Sequence, residues 1–335
     1  MWRHLFITNT LFSLGTIMTK IWGLVDDRTG HNGQVLGVIT RLNVPYAIKR
    51  LEYNRFEALP SPWLGASLLA IDKGHSAPLL PPYPPLVIAA GRRTLPVLRY
   101  IKKHSPSTHT IYLMRPESMK GIDLAVVPEH DAMDPAPNII TSLAPLHAVT
   151  PASLDAARKE WEPKFADLPR PYITLCMGGS TKRGRYSAAE WREVIQRAVL
   201  LAGHGSLLIT TSRRTPPEAI ALCAPLLQLP HRLHRWDTDK ENPYMGMIAC
   251  ADGIIVTGDS LNMCAEACVT GAPVFIYASP KVAPPKHQLL HQTLYDRGLA
   301  YPLNNTSRLD WHPAHALDDV GHVVTEIRKR FPEVF

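Results

Sequence analysis

No stretch of this 335-residue chain reaches the roughly 18 consecutive apolar residues that a membrane-spanning helix needs. The nearest, Leu5–Met18, is broken by Thr8, Asn9, Thr10 and Ser13. Arg3 precedes it, but no small-x-small cleavage site follows, so it makes a poor targeting signal. Met18 reads better as the start, because the strand-like run Ile21–Val25 begins at once. Cysteine is scarce and odd in number: Cys176, Cys223, Cys250, Cys264 and Cys268, with no CxxC. That gives no sign of a disulfide framework. The i,i+4 pair Cys264 and Cys268 reads as two small core residues in a reducing compartment, not as a metal site. A P-loop of the form GxxxxGK[ST] is absent. Charged residues make up only 19%, with 45% apolar residues, which excludes a disordered chain. The net charge of +7 is not gathered in one run. Residues 1–150 carry 15 Lys/Arg against 10 Asp/Glu, and residues 151–335 carry 21 against 19. The surplus in the first half reads as a solvated basic face. The alternative is an acidic partner, either a phosphorylated substrate or an anionic lipid surface. Nucleic acid is not expected.

What is present is an alternation of short apolar runs and helical stretches. Ile21–Val25, Leu86–Ala90, Thr110–Met114, Leu124–Val127 and Asn138–Thr141 are strand-like, and Gln34–Leu42 fits a short helix. Residues 59–85 are proline-rich and read as a surface excursion. The second half repeats the order, with strands Tyr172–Met177, Ser206–Thr211, Gly253–Thr257 and Val274–Ala278. Its helices are Ser187–Leu201, Pro243–Cys250, Ser260–Thr270 and Leu317–Phe331. Continuous apolar runs alternating with helices predict parallel sheets covered on both faces. The expected fold is therefore α/β, with two doubly wound Rossmann-like domains facing across a cleft. The expected boundaries are a non-native or disordered extension over 1–19, an N-terminal domain over 20–148, a linker over 149–170, a C-terminal domain over 171–315, and a C-terminal helix over 316–335.

Polar motifs fall where strands should end, the usual ligand edge of such sheets. Arg92-Arg93-Thr94 and Arg213-Arg214-Thr215 each follow a strand and precede proline, with Thr as the expected helix cap. Two arginines at a helix start suit an anion, although one of each pair could be a structural tie, since adjacent side chains diverge. Gly178-Gly179-Ser180-Thr181-Lys182 offers close backbone approach to a phosphate, or is an ordinary βα turn. Thr257-Gly258-Asp259-Ser260 ends a strand and opens a helix, with Met263 and Glu266 further along; Glu266 could accept two sugar hydroxyls or form a surface ion pair. The loop Asp26-Asp27-Arg28-Thr29-Gly30-His31-Asn32-Gly33-Gln34 holds a histidine suited to general-base work, with capping as the alternative. Glu129-His130-Asp131 could serve acid/base chemistry, but consecutive side chains diverge too much to bind one ion easily. Asn242 should cap a helix at Pro243, and Tyr244 could stack on a base.

Together the series GHNGQ, GRRT, PEHD, GGS, SRRTP, NPY and TGDSLNMCAEACVTGAP resembles the mitochondrial-fission "elongated mitochondria" family, over nearly all of residues 20–300. That family is in turn similar to GT-B glycosyltransferases, whose C-terminal half binds a nucleotide sugar and whose N-terminal half binds the acceptor. The resemblance implies that Gly178, Gly179 and Ser180 lie by the donor diphosphate, Asp259 and Ser260 at the diphosphate or sugar, and Glu266 at the ribose; the motifs add Thr181, Ser212, Arg213, Asn242, Tyr244 and Met263 to the expected donor site. The polar motifs of the N-terminal half give the expected acceptor site: Gly30, Asn32, Gln34, Arg92, Arg93, Glu129 and His130. His31 would be the base, with Asp26, Asp27 or Asp131 as fallback. The chain departs from the cell-wall enzymes at Lys182-Arg183-Gly184-Arg185, where they usually carry a small, glycine-rich stretch.

The implied activity is sugar transfer from a nucleotide donor to an envelope glycan or lipid-linked acceptor. No metal or other cofactor is expected, and Asp237-Thr238-Asp239 is discounted as a cation site because it lies in a polar turn. The expected location is cytoplasmic, with peripheral association at the inner face of an anionic membrane as an option. Two alternatives stand: a nucleotide-sugar epimerase of the same fold, and a membrane-associated fission adaptor without catalysis, since plant members are linked with membrane fission.

Overall fold

The computed structural model describes residues 19–226, 228–237, 241–305 and 307–335. All of the expected 1–19 extension but its last residue, and Thr238 and Asp239 of the Asp-x-Asp turn, lie outside the described residues. The chain forms two compact units. One contains residues 19–148 and Asp318–Phe335, and the other is Val149–Leu317.

The N-terminal unit is built on six parallel strands: β1 (Ile21–Val25), β2 (Tyr46–Arg50), β3 (Leu86–Ala89), β4 (His109–Tyr112), β5 (Leu124–Pro128) and β6 (Ile139–Ser142), in the spatial order β2-β1-β3-β4-β5-β6. Its helices before the crossover are α1 (Thr29–Arg41), the single turn α2 (Ser61–Leu64) and α3 (Leu95–His104). Inner strands β1, β3 and β5 are apolar and buried along their whole length because both faces are covered. Leu24, Val87, Ala89 and Tyr112 from the sheet join Leu98 and Ile101 of α3 in one core.

The C-terminal unit opens with α4 (Pro151–Trp161), so residues 149–170, read as a linker, are ordered and belong to this unit. Then follow β7 (Tyr172–Met177), α5 (Ala188–Ala202), β8 (Ser206–Thr211), α6 (Pro217–Ala221), α7 (Cys223–Leu226) and β9 (His231–His234). The remainder is α8 (Tyr244–Cys250), β10 (Gly253–Thr257), α9 (Leu261–Cys268), β11 (Val274–Tyr277), α10 (Pro285–Asp296) and β12 (Tyr301–Pro302). All pairings are parallel, in the order β12-β11-β10-β7-β8-β9. Counted within the unit, that is 3-2-1-4-5-6, the Rossmann order. Leu175, Ile209, Ile255 and Phe275 pack against Trp191, Val194, Ile195 and Ala198 of α5. A capping box starts α5: Ser187 Oγ accepts from the Glu190 N–H, and Glu190 Oε2 accepts from the Ser187 N–H.

The last helix, α11 (Asp319–Arg330), packs into the N-terminal unit. Arg41 of α1 donates to both oxygens of Asp318 at 2.6 and 2.8 Å, and Asp319 accepts from the Ala144 N–H at 2.7 Å. Val320, Val323, Val324 and Ile327 form its buried face.

Three local expectations are corrected. Helix α1 starts at Thr29, not Gln34, so His31 lies in its first turn and not in a loop. The cause is a side-chain clasp: Asp26 Oδ1 accepts from the Arg28 N–H, while the Asn32 amide bonds both the N–H and the C=O of Asp26. Neither Thr94 nor Thr215 caps a helix through its hydroxyl. Both are buried; Thr94 donates to Ala90 and Gly91 carbonyls, and Thr215 to Met177 and Gly178 carbonyls. Ser260 occupies the N-cap of α9, but its hydroxyl makes no capping bond.

Candidate functional site

In a doubly wound sheet, ligands bind beyond the carboxyl ends of the strands, where the strand order reverses. In the C-terminal unit that point lies between β7 and β10. Gly178-Gly179-Ser180 follows β7, and Gly258-Asp259-Ser260 follows β10. The two turns are joined through Asp259, whose side chain has 0% exposure. Its Oδ2 accepts from the Gly179 N–H at 2.8 Å, and its Oδ1 accepts from Thr257 Oγ1 at 2.8 Å. Arg214 pairs with Oδ2 at 2.9 Å and also donates to the Ser180 carbonyl at 3.3 Å. Burial pushes the Asp259 carboxyl up, and Arg214 and the Gly179 N–H act against that rise.

Both glycines are required by this packing. A Cβ on Gly178 would lie 2.2 Å from the Asp259 carboxylate, and one on Gly179 would lie 1.8 Å from the Arg214 carbonyl. Thus Arg214 is the structural tie of its pair, and Arg213 is exposed. The first N–H groups of α9 and the uncapped Ser260 hydroxyl face the end of the helix that favours an anion. Further along α9, Glu266 Oε2 accepts from Tyr244 Oη at 2.5 Å. Asn242 Oδ1 in turn accepts from the Tyr244 N–H at 2.9 Å. Burial raises the Glu266 carboxyl to about 7, and the Tyr244 bond opposes the rise.

That shift carries a sign. An acid whose folded value lies above its unfolded one destabilises the fold when ionised and has no effect when protonated. Glu266→Gln is therefore expected to stabilise the ligand-free protein at pH 8 by roughly 2–3 kcal/mol. The gain fades as pH falls from about 7 and disappears near 4.5. Melting temperature against pH for the two proteins measures it; a pH-independent difference would contradict it.

The N-terminal unit reverses its strand order between β1 and β3. Asp26 to His31 lie beyond β1, and Gly91 to Arg93 lie beyond β3. Arg93, with 14% side-chain exposure, bonds Asp26 at 2.9 Å, Glu57 at 2.6 Å, and Asp27. It also lies over the Tyr53 ring at 4.5 Å. Arg92 donates to the Leu59 and Glu57 carbonyls. Both arginines are thus tied within the fold. His31 packs against Gly91, whose φ of +91° suits only glycine and whose Cβ would lie 2.4 Å from His31 Nδ1. That Nδ1 is buried without a hydrogen-bond partner, as is Tyr53 Oη. Burial lowers the His31 pKa, with Asp26 opposing, which favours the neutral ring.

Among the sequence-predicted residues, Gly178, Gly179, Ser180, Asp259 and Ser260 meet at one switch point, and Tyr244 with Glu266 form a pair on α8 and α9 of the same unit. Thr181 is half-buried and donates to the Val282 carbonyl at 2.6 Å. Ser212 Oγ accepts from the Arg214 N–H at 3.2 Å. Met263 lies on α9 one turn before Glu266. His31, Asp27, Arg92 and Arg93 meet at the other switch point. Gly30 and Gln34 lie on α1, Gln34 buried, and the Asn32 amide is fully engaged in the Asp26 clasp. Glu129, His130 and Asp131 form a 3₁₀ turn after β5, with His130 buried, and the Asp131 carbonyl accepts from Arg115. Sequence reasoning missed Tyr53, Glu57 and the Arg214–Asp259 pair, and named Thr257 without its bond to Asp259. Only the buried threonine and aspartate of TGDS gave any signal.

Two Rossmann-like units in tandem, each a six-stranded parallel sheet, define a GT-B-like fold. A candidate UDP-N-acetylglucosamine 2-epimerase from Listeria monocytogenes shares it, with TM-score 0.54 and 10% identity over 94% of this chain and 98% of that one. Residues 29–331 match the family model described as mitochondrial fission ELM1, and the chain belongs to that family. It is 27% identical to an uncharacterised Rickettsia prowazekii protein, covering 86% of this chain and 91% of that protein. It is 26% identical to the mitochondrial fission protein ELM1 of Arabidopsis thaliana, covering 73% of this chain and 64% of that protein. Among the described residues no helix is long and apolar enough to cross a membrane.

Proposed function

We propose that this protein is a metal-independent glycosyltransferase whose C-terminal unit binds a nucleotide-sugar donor and whose N-terminal unit binds an envelope glycan or lipid-linked acceptor. One observation carries the proposal: the reversal point of a 3-2-1-4-5-6 sheet bears a glycine pair on one side and an uncapped helix start on the other. The α9 N–H groups, Ser260 and Arg213 would take the donor diphosphate, and Glu266 the ribose. In the transfer, an acceptor hydroxyl attacks the anomeric carbon as the bond from that carbon to the phosphate oxygen breaks. The nucleoside diphosphate leaves with its charge held by those dipoles and Arg213. The acceptor proton passes to His31, whose neutral form burial favours; Asp26 and Asp27 favour the resulting imidazolium, and Arg28 and Arg93 oppose it. Asp27 and Asp131 are the reserve bases.

A thermal-shift screen tests the proposal. UDP or another nucleoside diphosphate, or its sugar, is expected to raise the melting temperature by several degrees without divalent ion. No shift with any nucleotide would count against it. Turnover without any acceptor would replace transfer with epimerisation. A fission adaptor without catalysis would keep its cellular phenotype after His31→Ala and Glu266→Ala.

A further inference from the structure

Tyr244 has no place in the transfer chemistry above, yet its hydroxyl makes one of the shortest side-chain bonds in its unit. We propose that Tyr244 is a positioning residue, which holds one oxygen of Glu266 so that the other is presented to the vicinal hydroxyls of a ribonucleotide. The inference rests on the nucleotide-binding proposal for the same site and extends it: Tyr244 acts on the sugar of the nucleoside through Glu266, not on its base by stacking.

The geometry is specific. The 2.5 Å bond runs from Tyr244 Oη to Glu266 Oε2. Tyr244 cannot swing freely, because Asn242 Oδ1 fixes its N–H and α8 packs its following residues, Gly246 to Cys250, into the core. Gly246 sits against the Trp161 ring, where a Cβ would lie 2.1 Å from Cγ, so α8 is also packed closely on α4. Glu266 belongs to α9, whose neighbouring residues Ala265 and Ala267 have 0% exposure. Two fixed helices therefore meet through one phenol–carboxylate bond.

Among the described residues, no cation acts on the Glu266 carboxyl. The titratable groups facing the Tyr244–Glu266 pair are Cys176 from β7 and Cys264 from α9, both fully buried thiols. Burial and the Tyr244 bond are the influences acting on Glu266, and no lysine or arginine is among them. A carboxylate desolvated without a cation needs O–H or N–H donors. Tyr244 supplies one, to Oε2. The two adjacent hydroxyls of a ribose match the need of the other oxygen, and a 2′-deoxyribose supplies one fewer. Tyr244 also donates without charge, so it orients the carboxylate while leaving it open to the pH of the medium.

The test uses the full chain, Tyr244→Phe and Glu266→Gln, with the ribonucleoside diphosphate that binds the parent protein most tightly and its 2′-deoxy counterpart. Calorimetry at pH 8 should show Tyr244→Phe weakening the ribonucleotide about tenfold and the deoxynucleotide less. Parent affinity should fall as pH drops through about 7, where Glu266 takes up its proton. That midpoint should move upward in Tyr244→Phe, because the bond that favours the ionised form is lost, and should vanish in Glu266→Gln. A carbon-13 titration of glutamate carboxyls in the ligand-free proteins should show the same upward movement. Ribonucleotide affinity and pH midpoint unchanged in Tyr244→Phe would overturn the positioning role while leaving nucleotide binding intact. Equal losses for the two sugars would overturn the link to the vicinal hydroxyls. Absence of nucleotide binding to the parent protein would remove both readings.

Discussion

Replacing Asp259 with alanine is expected to cost the C-terminal unit about 3 kcal/mol and to remove any rise in melting temperature caused by nucleotide. The carboxylate has three partners at once, the Gly179 N–H, Thr257 Oγ1 and Arg214. Alanine leaves the buried Gly179 N–H unpaired, and unpaired buried groups dominate such losses. Arg214 contributes less than a buried guanidinium would, because its side chain is 38% exposed and partly screened. Urea unfolding followed through Trp191, which lies in the same core, measures the loss. A change below 1 kcal/mol would mean the two turns hold without their carboxylate. Arg214→Ala should behave differently with pH. Without the arginine, burial raises the Asp259 carboxyl further, and only its ionised form is penalised. The damage should be large at pH 8 and shrink as the medium is acidified toward the protonated form.

Arg93→Ala is expected to cost the N-terminal unit about 3–5 kcal/mol. Asp26, with 1% side-chain exposure, loses its cation, and an isolated buried carboxylate is expensive. Asp27 and Glu57 are 57% and 41% exposed, so their share is small. Arg93→Lys should recover only part, since one ammonium cannot bridge three carboxylates or stack on Tyr53 in the same way. The decisive measurement is a double-mutant cycle with Asp26→Asn. The double variant should be more stable than the sum of the two single losses allows, because the charge left behind by Arg93→Ala is then gone. Strict additivity would show that the pair does not interact.

Much of the fold was legible because parallel strands covered on both faces must be apolar throughout. Tyr172–Met177, Ser206–Thr211 and Gly253–Thr257 read from the sequence with the bounds they have in the structure. Strands β2 and β9 were missed because YAIKR and HRLH carry charges that only a partly exposed strand tolerates. The early start of α1 was hidden because DDRTGHNG looks like a loop until Asn32 closes on the Asp26 backbone. The site was legible as two sets of strand ends and illegible as a network. Twin arginines looked like anion ligands; a tie in each pair could be suspected, but in the first pair both are tied, Arg93 to a carboxylate 67 residues away and Arg92 to loop carbonyls, and in the second Arg214 is tied to the Asp259 carboxylate. The Tyr244–Glu266 bond spans 22 residues across a strand, a separation that no local pattern signals.

The return of α11 has a consequence for how the molecule comes into being. Its four apolar residues and Asp318 complete a unit whose other residues precede position 149. A chain emerging from the ribosome in order would therefore close its second unit, Val149–Leu317, while the first still waits for its final helix. Vectorial synthesis usually lets the amino-terminal domain mature first. Here the order is inverted, and the nascent first unit must keep an unfilled groove beside α1 until Asp318–Phe335 has been made.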